Sequence, residues 1–154
     1  MPPSASTREN ILANIKTTLA AIVTGATYNY TPGEVFIGLK RFSELSDEKF
    51  PAYYIAGADE DRKNNTNTNF VSDLTVSVVG YVKATDSSEP EELERQVSRA
   101  VADITKSLYL DITRGGYSTL TEITTVDTDK GAWVPIGGFE IQVRTQYRSS
   151  VANP

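Results

Sequence analysis

Two acidic groupings are the places in this chain where residue type and spacing could do chemistry. Glu89, Glu91, Glu92 and Glu94 crowd six positions, and Asp127 and Asp129 stand two apart before Gly131. Neighbouring carboxylates can trade a proton or hold a divalent cation. Neither pattern is complete. A calcium loop of the EF-hand type needs a third ligand before its glycine and a distant bidentate glutamate, and both are missing here. A plain β-turn explains Asp127 to Gly131. The four glutamates open a helix, whose dipole favours negative charge at that end.

Chemistry elsewhere is limited by absences. The chain has no histidine and no cysteine. Disulfides, the usual zinc, copper and iron ligands, and Ser-His-Asp or Cys-His catalysis all drop out. Gly115-Gly116 and Gly137-Gly138 lack the residues that would make a phosphate-binding loop. Asn29-Tyr-Thr31 and Asn64-Asn-Thr66 match the glycosylation pattern, but no export signal precedes them. The sequence thus points to no catalytic residue, no cofactor and no metal site. A carboxylate-dependent enzyme or small-ligand module stays open only as an alternative, because Asp, Glu, Lys and Tyr can still move protons.

The 154 residues carry a net charge of −5, with 39% hydrophobic and 23% charged residues. That suits one soluble domain over residues 1–154 with one core. An acidic chain does not grip a phosphate backbone through its bulk charge. No apolar run approaches the roughly 20 residues of a membrane span, which predicts a soluble chain made in the cytoplasm.

The elements follow from periodicity. Residues 1–6 read as a flexible arm. Ser6 and Glu9 form a capping box, and Ile11, Leu12, Ile15, Leu19 and Ile22 recur at helical spacing, so a helix is expected over 7–23, stopped at Gly25. Strands are expected at 34–39 and 50–56, the second near an edge or a strand start because of Pro51. Residues 57–69 hold no apolar side chain larger than alanine and read as a mobile loop. Two readings of it stay open: an inert connection, or a contact site through Asp59, Glu60, Asp61, Arg62 and Lys63.

Residues 70–83 alternate, with Phe70, Leu74, Val76, Val78 and Val82 on one face and gaps at Ser72 and Gly80. Ser88 and Glu91 form a second capping box, and Leu93, Val97, Ala100, Val101, Ile104 and Leu108 make the stripe of a second helix. Strands follow at 119–126 and from Phe139 onward. There Phe139, Ile141, Val143, Thr145 and Tyr147 form a dry side, and Glu140, Gln142, Arg144, Gln146 and Arg148 a wet one. The expected fold is α+β: a single mostly antiparallel or mixed sheet, two helices on one face, order α-β-β-β-α-β-β.

Strands of up to 14 residues outrun what two helices can shelter. Unguarded backbone along residues 74–82 would then invite copies of the chain. The candidate subunit interface is Trp133, Leu74, Val76, Val78, Arg144 and Arg148. For Trp133 a core position stays open, and for the arginines a merely solvated face.

The capped first helix, "FPAYYIAG", the polar segment, "LTVSVVGYV", "EPEELERQVSRAVADITKSL" and the closing "GGFEIQVRTQYR" together resemble bacteriophage tail terminator (tail completion) proteins over nearly the whole chain. The resemblance implies a homohexameric ring that caps the phage tail tube, stops its polymerisation and offers a surface for head–tail joining. It implies tail tube protein and a neck or head-completion protein as partners. DNA would pass through without specific binding, and the site would be the tail–head junction of the virion, assembled in the host cytoplasm. A head–tail neck adaptor or connector is the alternative within the same class. The resemblance supplies no functional residue of its own, because no family motif can be matched position by position.

Overall fold

The Ser6 hydroxyl accepts the Glu9 backbone N–H at 3.2 Å and starts helix α1, Thr7–Ala20. Ile11, Ile15 and Leu19 recur every four residues and are fully buried. The computed structural model describes residues 4–85, 89–152 and 154. The first three residues of the expected arm, and the Ser88 cap, therefore lie outside the described residues. Helix α2, Pro90–Tyr109, begins with proline in its first turn, where a missing N–H costs nothing. It buries Leu93, Val97, Ala100, Ile104 and Leu108.

Among the described residues, five strands form one sheet: β1 (Glu34–Ile37), β2 (Ala52–Asn64), β3 (Asn69–Lys83), β4 (Leu120–Thr128) and β5 (Ile136–Ser150). Their spatial order is β1-β2-β3-β5-β4, with β1 parallel to β2 and every other pair antiparallel. The fold is α+β with the expected element order, both helices packing on one face. Phe70, Leu74, Val76, Val78 and Val82 meet Phe139, Ile141, Val143 and Tyr147 under the helices. The gap at Gly80 has a clear cause. Gly80 pairs with Phe139, and a Cβ there would lie 2.1 Å from the Phe139 ring.

Two expectations change. Residues 57–64 are not loop: β2 continues to Asn64, and only the tip between β2 and β3 turns. The run carries no apolar residue beyond alanine because its place depends on the backbone ladder to β3, not on burial. The backbone of residues 74–82 is not a free border either. β3 is the central strand, paired with β5 from Asn69 to Lys83 and with β2 from Phe70 to Tyr81.

Buried polar groups fasten the helices. Asp103 on α2 accepts from the backbone N–H groups of Asn29 and Tyr30 and the Asn29 amide, at 2.9 to 3.0 Å. Arg114 is fully buried and donates to the carbonyls of Leu108 and Asp111, beyond the end of α2. A cation there suits the negative end of the helix dipole. Burial pulls the Arg114 guanidinium below its ordinary range.

Candidate assembly surfaces

The face of the sheet away from the helices carries a polar ladder. Arg144 donates to Asp73 at 2.9 Å and to Glu122 at 2.5 Å, so one β5 guanidinium ties β3 to β4. Gln146 donates to the same Asp73 oxygen at 3.2 Å. One row group along, the Gln142 amide reaches Glu140 at 2.6 Å and the Ser77 hydroxyl at 3.0 Å. The Glu122 hydrogen bond, with Asp73 beside it, raises Arg144 above its usual range. Register places Asp59, Asp61 and Lys63 of β2 and Asp127 of β4 on this face too. Carboxylates outnumber cations across it.

Near the β2 start this face is apolar. Ala52, Tyr54 and Tyr81 are covered by Phe42, Leu45 and Phe50. The Tyr54 hydroxyl donates to Glu34 at 2.7 Å, and Lys40 bridges the same carboxylate at 2.7 Å. Lys40 and then the Tyr54 hydroxyl hold Glu34 below the ordinary carboxylate range. Burial first, and the Glu34 contact second, push the Tyr54 phenol well above its usual value. The Trp133 ring lies 5.1 Å from that of Phe42 and remains 48% exposed. Beside it runs an open cleft of about 250 Å³, lined by Val79, Tyr81, Phe139, Asp127, Asp129 and Glu140 among others. Glu140 is already bound by Ser77 and Gln142, and Asp129 accepts the Gly131 N–H at 3.1 Å. No cluster of three metal-ligating side chains exists among the described residues.

The sheet ends in β1 on one flank and β4 on the other. At the β1 flank Phe36, Ile37 and Leu39 are exposed, and the Lys16 and Lys40 ammonium groups stand 6.0 and 4.9 Å from the Phe36 ring centre. At the β4 flank Val126 is exposed, with Tyr109, Leu110, Ile112 and Tyr117 nearby in the chain. The Tyr109 hydroxyl accepts the Ile123 N–H at 2.9 Å, which caps one outward-pointing group of β4.

The residues expected from the sequence divide accordingly. Leu74, Val76 and Val78 do not form a subunit surface: each is fully buried beneath the chain's own helices. Arg144 lies on the polar ladder, Arg148 is exposed near the far end of β5, and Trp133 is half-exposed. Asp59, Asp61 and Lys63 face away from the helices. Glu60 and Arg62 face the other way, where Glu60 accepts the Tyr147 hydroxyl and Arg62 stacks 4.5 Å from the Phe70 ring centre. The sequence reading missed the β1 flank. Phe36 and Ile37 in a short strand after a Thr-Pro-Gly turn, with Leu39 just beyond it, were its signal.

The whole length of the chain bears one family likeness. Residues 1–153 match the family model described as Bacteriophage Tail Tube Terminator Protein. No curated protein matches the chain.

Proposed function

The chain belongs to the bacteriophage tail tube terminator family, a structural kind of virion protein, and from this we propose that its copies close a ring that caps the tail tube. In this reading six copies surround the passage for DNA, stop the tube from growing and offer a joining surface to the neck. The observation that carries it is the pair of unlike flanks. A sheet whose two borders both lack strand partners among the described residues, one lined by Phe36 and lysines and the other by Val126 and carboxylates, suits head-to-tail contacts, which close into a ring where the rotation between copies closes. The acidic excess of the open face favours smooth passage of DNA, since like charge prevents adhesion. The β2–β3 end, residues 59–63, is the proposed contact with tube or neck. Arg144, Arg148 and Trp133 are the remaining proposed contacts between copies.

Negative-stain electron microscopy with sedimentation velocity tests the ring. Particles with a central hole are expected at high protein concentration or on purified tail tubes. A species that stays monomeric under both conditions would overturn the reading.

A further inference from the structure

We infer that neighbouring copies join by adding the free border of β4 on one chain to the free border of β1 on the next, antiparallel and in one register. This rests on the ring reading and names the contact within it.

Strand directions decide the polarity. β1 runs parallel to β2, and three antiparallel steps lead from β2 through β3 and β5 to β4. β4 therefore runs opposite to β1. A neighbour placed by rotation, with its helices on the same side of the sheet, brings the two borders together antiparallel. That is the pairing with the more stable hydrogen-bond pattern.

Length and height agree. β1 offers four residues, Glu34–Ile37, and ends at Gly38, whose φ of 114° breaks the strand. On the far flank the β4 bulge lies between Ile123 and Thr125, and Ile123 is already capped by Tyr109. Beyond the bulge and that cap, β4 runs regularly over the four residues 125–128. The two stretches lie at the same level of the sheet. Ile37 leads across through Ile55, Val78 and Ile141 to Val126, and Phe36 through Tyr54, Val79 and Glu140 to Asp127. No bulge interrupts these rows.

The side chains complement each other row by row. Ile37 and Val126 are 41% and 42% exposed and both lie on the helix side, so each would cover the other. On the opposite side Asp127 would meet Phe36 with its two ammonium groups. Asp127 has no ion pair among the described residues, and the β1 flank carries Lys16 beyond the Lys40–Glu34 pair. A second copy fits both flanks at once, whereas a tube or neck protein would have to match only one.

The chain lacks cysteine, so an engineered pair gives an unambiguous readout. Ile37→Cys with Val126→Cys, oxidised in rings assembled with or without tail tubes, should give a covalent ladder rising to the closed ring on a non-reducing denaturing gel. Each single variant should stay monomeric on that gel. Asp127→Lys should weaken self-association about tenfold or more, by placing like charges together. Rings in the microscope without the ladder overturn this contact and leave the ring standing. A ladder that stops at dimers, or equal cross-linking by a single variant, overturns it as well. Absence of rings from the unmodified chain, even with tail tubes, removes the ring and this contact together. If the cysteine pair itself prevents rings, Phe36→Cys with Asp127→Cys, one row along on the other face, decides by the same criteria.

Discussion

On the helix side of β5, Phe139, Ile141, Val143, Thr145 and Tyr147 are buried. On the other side of the same strand, Glu140, Gln142, Arg144 and Gln146 hold a polar ladder to β3 and β4. The backbone between them is common, so the two faces separate what burial does from what polar contacts do. Removing apolar surface from water stabilises in proportion to area. Exposed ion pairs exchange one set of hydrogen bonds for another and add little. The helix face should therefore carry the stability of the fold, and the ladder its surface identity.

The sharpest test of that division is Leu74→Ala. Leu74 is fully buried at the centre of the helix face, and its loss leaves a cavity. A destabilisation of about 2–5 kcal/mol is expected by urea denaturation. At about 2–4 °C per kcal/mol for a chain of this size, the Tm should fall by several degrees or more. A shift as small as that of a surface substitution would break the contrast between the faces.

The same contrast can be drawn with one residue type. Arg114 is sealed against the end of α2, and Arg144 spans the open face. Arg114→Ala leaves the Leu108 and Asp111 carbonyls without their donor, which should cost about 1–3 kcal/mol. Arg114→Lys should rescue only part of this, because one ammonium cannot reproduce the planar fork. Full rescue by lysine would mean that charge alone matters at the helix end.

These two arginines also mark what could be read from the sequence. Period-two alternation exposed the faces of β3 and β5, and the four-residue stripe of Ile11, Ile15 and Leu19 exposed α1, because burial writes itself into residue type. Residues 57–64 left no such trace. Their strand is held by backbone hydrogen bonds, which every residue can make, so composition there resembled a loop. Arg114 was silent for a related reason: its partners are main-chain carbonyls, which have no sequence. Free borders were misplaced for a third. Which strand lies at a flank is a matter of pairing order, and Leu74 to Val82 read equally well for a central strand or an edge. The family texture survived all three errors because it depends on element order.

Titration offers a smaller effect that touches both faces. Tyr53 lies under the helices and Tyr54 in the small cluster on the other side, and burial raises both phenols well above their usual value. Burial, with the Glu60 contact next, also raises Tyr147. An unfolded chain releases these protons near pH 10, whereas the folded chain keeps them. Their contribution is thus intact below about pH 10 and is lost as pH rises toward the folded values. Thermal melts should show a steady fall in Tm above about pH 10, with the tyrosinate of these buried rings appearing together with unfolding, after that of exposed Tyr109 and Tyr117. Tyrosinate that appears fully before unfolding would show the rings to be open to water. Glu34 works in the opposite sense. Its lowered value adds stability above the ordinary carboxylate range, which fades as pH drops through the folded value.

The smallest expected effect is the most informative about the open face. Arg144→Ala removes both ladder contacts, to Asp73 and Glu122, from a side chain that is 33% exposed. Its denaturation midpoint should match that of the unmodified chain within measurement error, because exposed pairs of this kind contribute little. The variant still leaves Asp73 and Glu122 uncompensated on a face already rich in carboxylates. If Arg144 serves only its own sheet, self-association of the variant should follow the unmodified chain at every salt concentration. If it also serves a neighbouring copy, association should weaken at low salt while the melt stays unchanged, and the difference should shrink as salt screens the face. A large loss of stability would instead mean that the ladder shares in holding the fold, and the division between the two faces would fail at its most exposed point.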